Sequence, residues 1–215
     1  MVPPILTPLG ERFASLVRRL GASGDAAPAA ASLLAAWAEP GRRYHGVTHL
    51  CHCLARLDEA PAAEADRDRV EAALWFHDVV YDPRVADNEE LSAAKAGREL
   101  AALGVPPAAA EDIARLVRLT RHEGPASDPA GRLLCDIDLS ILGSSPAEFD
   151  AYDRGIRDEY AWVPRDAYRE ARRQVLDGLL QRRPLYQTDH FRDRYEGPAR
   201  ANLERALAAL RVPPP

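Results

Sequence analysis

Apolar residues recur along most of this chain at intervals of three and four positions, the spacing that places side chains on one face of an α-helix. Alternation with a period of two, typical of a half-buried strand, is nearly absent. The periodic segments, several of them bounded by Pro or Gly, predict helices over 7–21, 26–38, 44–57, 64–80, 89–103, 107–121, 133–142, 146–160, 164–181 and 198–210. The sequence therefore predicts an all-α fold.

The segments between the predicted helices define no second domain. HEGPASDPAGR, at 122–132, is too rich in Pro, Gly and Ser for regular structure, and the tail at 212–215 is expected to fray. There is no internal repeat and no domain linker. A chain of 215 residues with 47% hydrophobic composition can bury one substantial core. We expect a single-domain helical bundle over 1–215.

Charge and composition exclude some classes of partner. The net charge of -5 argues against a general nucleic-acid binder or a protein that binds anionic membranes, although a local basic pocket could still take phosphates. No apolar run reaches the length of a membrane span, and the first residues do not resemble a signal peptide. Three cysteines form no disulfide framework, which fits a reducing compartment. We expect a cytoplasmic protein.

The segment EAALWFHDVVYD places a histidine and an acid in the most apolar part of the chain. Val70, Leu74 and His77 fall on one helical face, which puts His77 in the interior, and Asp78 lies one step round. Burying either group costs several kcal/mol unless a partner satisfies it. A single buried histidine is usually a hydrogen-bonded core residue, so the partner must be sought among the other helices.

Two further predicted helices carry similar groups. His45 and His49 lie one turn apart and therefore point the same way. In the helix predicted over 133–142, Asp138 lies within the apolar arc, whereas Asp136 lies near the opposite, solvent-facing side. Three helices thus each direct a histidine or an acid inward. This mixture of nitrogen and oxygen donors suits one divalent ion of Mn, Fe, Co or Zn, with Mg as a further candidate.

The motifs that carry these groups resemble those of the HD-domain superfamily of metal-dependent phosphohydrolases, and specifically a bacterial branch of uncharacterised predicted hydrolases. The resemblance covers about 42–202 and rests on YHGVTHL, on WFHDVVYD followed by DNEELSAAKAG, and on DIDLSILG and IRDEY. It implies an all-helical HD-type domain in which a histidine, a His-Asp pair and a later Asp surround one metal. The metal ligands implied here are His49, His77, Asp78 and Asp138, with His45 and Asp136 as the alternatives to the first and last.

The resemblance also implies roles around the metal. Asp78 would both bind the metal and orient or deprotonate a water molecule, and Glu89 is either a second acid that handles this water or a first-turn acid of its helix. The candidates to bind substrate phosphate are Arg42, His45, His122 and Arg157. His122 also fits a cation at a helix C-terminus, and Arg157 also fits a solvated charged face.

The expected activity is hydrolysis of a phosphate ester, of a nucleotide or a similar small molecule, by a metal-activated water. The alternative is a non-catalytic regulator that keeps the metal pocket to sense a ligand. A separate zinc site through Cys51, His52 and Cys53 is disfavoured, since no second Cys or His pair follows at finger spacing. No Walker or dinucleotide-binding fingerprint is present. The sequence leaves the oligomeric state open.

Overall fold

The computed structural model describes residues 6–211. Within this range the chain forms α-helices and short 3₁₀ segments and no β-strand, which confirms the predicted all-α fold. The predicted fraying of 212–215 lies outside the described residues. The helices are α1 Leu6–Arg19, α2 Ala27–Trp37, α3 Val47–Glu59, α4 Glu64–Phe76, α5 Asn88–Ala102, α6 Pro107–Arg118, α7 Pro129–Asp138, α8 Pro146–Glu159, α9 Arg165–Gln181 and α10 Asp189–Arg211. The 3₁₀ segments are Leu119–Arg121 and Leu139–Gly143.

Contacts divide the chain into two compact units, with the boundary inside α7, between Cys135 and Asp136. The first unit contains α1 to α6 and most of α7. The second contains the end of α7, the 3₁₀ segment Leu139–Gly143 and α8 to α10. A single HD-like domain with a core over about 42–202 stays a prediction.

The first unit is organised around α4, which packs against α1, α3, α5 and α6. The aromatic side chains of its core are almost completely buried, and Phe13 lies edge-on to Trp75 with 5.2 Å between ring centroids. The Trp37 indole N–H donates to the Trp75 carbonyl at 3.0 Å, so this buried polar group is satisfied. Each such side chain stabilises the fold by about 1.5–3 kcal/mol. This core anchors the C-terminal end of α4.

Helix α4 ends at Phe76, four residues before the predicted end at Val80. Residues 77–80 form a turn, named here the His-Asp turn. The guanidinium of Arg42 donates to the carbonyls of Asp78 and Val79, and the Val80 N–H donates to the Ser92 hydroxyl at 3.1 Å. These contacts replace helical hydrogen bonds, which is why the apolar run VVY does not continue the helix.

Two helices, α7 and α10, begin at least four residues earlier than predicted. Helix α7 begins at Pro129, inside the stretch predicted to be irregular, because the Asp128 carboxylate caps it by accepting the Gly131 N–H at 3.0 Å. Helix α10 begins at Asp189, and Pro198, the expected start, lies inside it. The buried ring of Phe191 holds its first turns in place. Pro107 and Pro146 begin α6 and α8 as predicted, so Pro198 is a helix-start signal that misled.

In the second unit, α10 packs against α9 and against the 3₁₀ segment Leu139–Gly143. The approach is close at Gly143, where an added Cβ would lie 2.8 Å from the carbonyl oxygen of Tyr195. Glycine is therefore required at this position. Among the helices of residues 6–211, none has the length and apolar character needed to cross a membrane.

Candidate metal centre

His49 and His77 meet inside the first unit. His49 lies in the first turn of α3, and His77 is the C-cap residue that follows α4. Both are buried, and their Nε2 atoms lie 3.0 Å apart. The Trp37 ring packs against His77 with 5.4 Å between centroids, which fixes the orientation of the imidazole. The two histidines that sequence analysis placed on separate helices therefore face each other.

The hydrogen bond on the far side of His77 defines its tautomer. Its Nδ1 lies 2.9 Å from the Leu74 carbonyl oxygen. Since a carbonyl can only accept, Nδ1 carries a hydrogen, and Nε2 offers a lone pair when the ring is neutral. A neutral imidazole whose other nitrogen donates to a backbone carbonyl is the usual form of a metal-binding histidine.

The carboxylate of Asp78 lies beside both histidines. Its Oδ2 is 3.2 Å from His77 Nε2 and 3.7 Å from His49 Nε2, and its side chain is 15% exposed. Burial alone would raise the pKa of Asp78, but the charges of the neighbouring His77, His45 and His49 hold it well below its usual value. Asp78 is therefore ionised and able to bind a cation.

These three donor atoms have the spacing of ligands around one ion. Donors that bind an ion at about 2.1 Å lie about 3.0 Å apart when at right angles and about 3.4 Å apart in a tetrahedron. The observed separations are 3.0 Å for His49 to His77, 3.2 Å for His77 to Asp78 and 3.7 Å for His49 to Asp78. The residues present therefore fit a divalent metal ion.

Cys53 and Asp138 extend this arrangement. Donor atoms of His49, Cys53, His77 and Asp138 all lie within 4.8 Å of one another, and we call these four residues the donor group. Cys53 lies one turn after His49 on α3 and is fully buried. Asp138 is the last residue of α7, one turn after Leu134, which is buried in the first unit. The donor group could hold a metal ion.

The predicted environments of Asp136 and Asp138 are wrong. Asp136 is only 1% exposed, whereas Asp138 is partly exposed. The Asp136 carboxylate accepts the backbone N–H groups of Gln187 and Thr188, at 2.8 and 2.7 Å, and the Thr188 hydroxyl at 2.7 Å. The apolar arc of α7 predicts one buried face. The turn before α10 covers a second face, which carries Asp136. Asp138, and not Asp136, nevertheless belongs to the donor group.

The environment of Asp136 also shifts the pKa of its carboxyl. Burial raises the pKa of its carboxyl, and the hydrogen bonds from Gln187 and Thr188 oppose this effect only in part. Its hydrogen-bond acceptors are occupied by groups of the second unit. Asp136 is therefore satisfied by Gln187 and Thr188 without a metal ion.

His45 and Arg42, two predicted phosphate ligands, contact the His-Asp turn or the residue that follows it. The His45 ring stacks on Tyr81 with 4.2 Å between centroids and lies 5.9 Å from the ring of His49. The Arg42 guanidinium is buried and donates to the carbonyls of His45, Asp78 and Val79 and to the Glu39 carboxylate. Arg42 therefore joins the start of α3 to the His-Asp turn.

The three remaining predicted residues lie on separate elements. Glu89 is partly buried in the first turn of α5. His122 ends a 3₁₀ segment in a left-handed backbone conformation with φ of 54°. Arg157 donates to the carbonyls of Tyr160 and Val163, and its guanidinium lies 4.5 Å from the centroid of the Tyr168 ring. The roles of Glu89, His122 and Arg157 stay predictions.

Cys53 is a donor that the sequence motifs of this centre do not indicate. The sequence relates it only to Cys51 and His52, in the disfavoured separate zinc site. The signal was present in the spacing, because His49 and Cys53 are four residues apart and share a helical face. A search for donors four residues from each candidate histidine would have found it.

Comparison with known proteins found no matching family model, no matching curated protein and no matching solved structure. The all-helical fold and the donor group are compatible with an HD-type domain.

Proposed function

We propose that this protein is a metal-dependent phosphohydrolase of the HD type, which hydrolyses phosphate esters of nucleotides or similar small molecules. The observation that carries the proposal is the triangle formed by His49 Nε2, His77 Nε2 and Asp78 Oδ2, with sides of 3.0, 3.2 and 3.7 Å. Two imidazoles and a carboxylate at this spacing are a suitable donor set for Mn, Fe, Co or Zn.

The hydrogen bond between His77 and Leu74 orients the imidazole for metal binding before any metal binds. A neutral His77 presents a lone pair at Nε2, because its Nδ1–H donates to the Leu74 carbonyl. A hydrogen held by either Nε2 atom has to leave when both nitrogens bind a cation, so metal binding should release protons.

A metal bound here would lower the pKa of a water molecule and polarise a phosphoryl oxygen. Asp78 is ionised and its Oδ2 forms one corner of the triangle, so it can bind the metal and accept a hydrogen bond from that water. Glu89 remains the second acid proposed to handle the water. Asp138, as a member of the donor group, is proposed as the fourth ligand.

His45 is the phosphate ligand best supported by its surroundings. It is partly exposed, it stacks on Tyr81, and its ring lies within 6 Å of the ring of His49. A cationic imidazole at this position would neutralise a phosphate oxygen close to the metal. The donors of Arg42 and Arg157 already bind backbone carbonyls, which leaves them less suited to the same task.

The test is phosphate release by chelator-treated protein reloaded with Mn, Fe, Co, Zn or Mg. The substrates are mono-, di- and cyclic nucleotides and simple phosphate esters. We expect hydrolysis that requires added metal and disappears with chelator. Asp78→Asn should abolish it, because the variant loses both a metal ligand and a group that orients water.

Asp82→Asn is the matched control for this experiment. It makes the same chemical change four residues further on, at an exposed position where the side chain caps a turn by accepting the Arg84 N–H. This variant should retain activity. A metal-loaded wild-type protein that is inert towards every substrate would overturn the hydrolase proposal and favour a ligand sensor.

A further inference from the structure

Cys53 lies against the two histidines of the metal centre. Its side chain is fully buried, and its Sγ is 3.7 Å from Nε2 of His49. Cys51, two residues away on the same helix, is partly exposed and does not belong to the donor group. The position of Cys53 on α3 therefore brings its thiol, and not that of Cys51, to the metal centre.

The distance from Cys53 Sγ to His49 is compatible with a shared metal ion. With a metal–sulfur bond of about 2.3 Å and a metal–nitrogen bond of about 2.05 Å, the two donors of a tetrahedral site lie about 3.6 Å apart. Sγ is 3.7 Å from Nε2, but it is also 3.8 Å from Nδ1, so it lies beside the ring and not along the lone pair of Nε2. The Cys53 side chain must therefore turn towards Nε2 for both residues to bind one ion.

The two histidines therefore have two different neighbours. One is the carboxylate of Asp78, a hard oxygen donor, and the other is the sulfur of Cys53, a soft donor. Carboxylate and water ligands suit Mg and Mn, whereas thiolate suits Zn. A centre that offers both can bind different ions through different donors.

We propose that Cys53 makes this centre discriminate between metals, binding Zn²⁺ through its thiolate, whereas Mn²⁺ and Mg²⁺ bind through the histidines and carboxylates alone. The proposal rests on the metal centre of the proposed function. When Zn²⁺ binds, the thiol gives its proton to solvent and a zinc–sulfur bond forms, with no change of oxidation state. A carboxylate then completes four protein ligands.

Four protein ligands around zinc are typical of structural sites, whereas catalytic sites keep one position for water. The zinc form of this centre is therefore closed, and the manganese or magnesium form is open. Excess Zn²⁺ should suppress a hydrolysis supported by Mn²⁺. The cell's zinc level would then set the fraction of protein in the open form.

The first test uses Co²⁺, which replaces Zn²⁺ and reports a bound thiolate by an intense charge-transfer absorption in the near ultraviolet. Wild-type protein and the Cys51→Ser control should show this band, and Cys53→Ser should lack it. Absence of the band from cobalt-loaded wild-type protein would overturn the proposal without any substitution. Persistence of the band in Cys53→Ser would overturn it as well.

The second test compares Zn²⁺ and Mn²⁺ affinities of the same three proteins by competition titration. Cys53→Ser should weaken Zn²⁺ binding by at least about 10- to 100-fold, a range that outer-shell substitutions alone can reach. Its Mn²⁺ affinity should stay unchanged. An equal loss for both ions, or no loss for either, would show that Cys53 acts only in packing and would overturn the proposal.

Cys53→Ala is a second variant in case a buried serine disturbs the fold. Circular dichroism of the metal-free proteins should establish that each variant is folded. The outcomes also separate this inference from the proposed function. Hydrolysis by the manganese form with no thiolate band in the cobalt form would refute only the role of Cys53. A thiolate band in the cobalt form with no hydrolysis by the manganese or magnesium form would refute only the phosphohydrolase.

Discussion

The carboxylates of Asp136 and Asp78 are both held inside the protein, but different groups face them. Asp136 accepts hydrogen bonds from two backbone N–H groups and a hydroxyl, all contributed by Gln187 and Thr188. Asp78 faces the Nε2 atoms of His77 and His49 at 3.2 and 3.7 Å. These nitrogens lie only 3.0 Å from each other.

We call each carboxylate, together with the groups that face it, a cluster. The two clusters differ in the groups that can satisfy the carboxylate. Hydrogen-bond donors fixed to the backbone satisfy Asp136 permanently, so its cluster closes a structural turn. Imidazole nitrogens can satisfy Asp78 by holding hydrogens or by sharing a cation with it, so its cluster can exchange protons for a metal. Burial by itself does not identify a metal ligand. The chemistry of the facing groups does.

The largest effect is expected from His77→Ala, which removes the central nitrogen of the Asp78 cluster. A metal at 100 times its dissociation constant stabilises the folded state by about 2.7 kcal/mol. This metal-induced stabilisation should disappear in the variant. The measurement is the rise in melting temperature on adding Mn²⁺ or Zn²⁺, taken relative to each metal-free protein because the substitution also removes buried contacts.

His190→Ala is the control, since it removes a histidine of α10 that lies outside the donor group. It should keep the full metal-induced rise in melting temperature. If His77→Ala kept that rise too, the metal would bind elsewhere. The Asp78 cluster would then not be the metal site, and its contrast with the Asp136 cluster would be wrong.

The next prediction tests the two acids of α7 directly. Asp138→Asn should weaken metal binding and leave the stability of the metal-free protein nearly unchanged, because Asp138 is a partly exposed member of the donor group. Asp136→Asn should do the reverse. An amide N–H₂ facing the donors of Gln187 and Thr188 leaves buried groups unsatisfied, at about 1–3 kcal/mol.

Urea unfolding of the metal-free proteins and metal titration of both variants provide the two measurements. The reverse ranking, with metal affinity lost in Asp136→Asn, would mean that the Asp136 cluster is not the structural one. Equal loss of metal affinity in both variants would indicate that α7 shifts as a unit.

The outcome for these acids indicates how far a helical wheel can be trusted. Periodicity predicted the all-α fold, and it placed His49 and His77 on inward-facing positions, because both depend on one helix at a time. The environment of Asp136 depends on a turn about fifty residues away, which no local pattern reveals. The wheel therefore ranked the burial of Asp136 and Asp138 in the wrong order.

The same limit applies to Arg42 and Cys53. Arg42 is one of the four phosphate-binding candidates of the sequence, and the carbonyls of the His-Asp turn become available to it only in the fold. The spacing between His49 and Cys53 was visible in the sequence. This spacing indicates a metal site only because the fold also brings His77 next to His49.

A third prediction concerns the support of the Asp78 cluster by Arg42. Arg42→Lys keeps the charge but cannot reach the carbonyls of His45, Asp78 and Val79 together, because an ammonium lacks the planar fork of a guanidinium. We expect metal affinity to fall by about 10- to 100-fold, the effect typical of residues that orient metal ligands. Metal titration measures this effect directly.

Arg43→Lys is the matched control, because Arg43 is the exposed neighbour of Arg42. If Arg42 instead bound substrate phosphate, Arg42→Lys would raise KM and leave metal affinity unchanged. That result would restore the role expected from the sequence and remove Arg42 from the support of the His-Asp turn.

The smallest effect is expected at Asp128, a more exposed carboxylate satisfied in the manner of Asp136. It caps α7 through the Gly131 N–H and pairs with Arg115 at 3.0 Å. Asp128→Ala should cost about 1 kcal/mol of stability, whereas Asp128→Asn should retain most of the cap. Urea unfolding of both variants at neutral pH measures this difference.

The stability contributed by Asp128 should also depend on pH. Partial burial opposes ionisation, but the Gly131 N–H and the Arg115 guanidinium outweigh it and hold the pKa of Asp128 below its usual value. A carboxyl with a lowered pKa in the folded state stabilises the protein above its unfolded pKa of about 3.9, and this stabilisation is lost as the pH falls through the folded value. The gap in stability between wild type and Asp128→Ala should therefore narrow below about pH 4. A gap that stayed constant down to pH 2 would mean that the ionised carboxylate contributes nothing to the cap of α7.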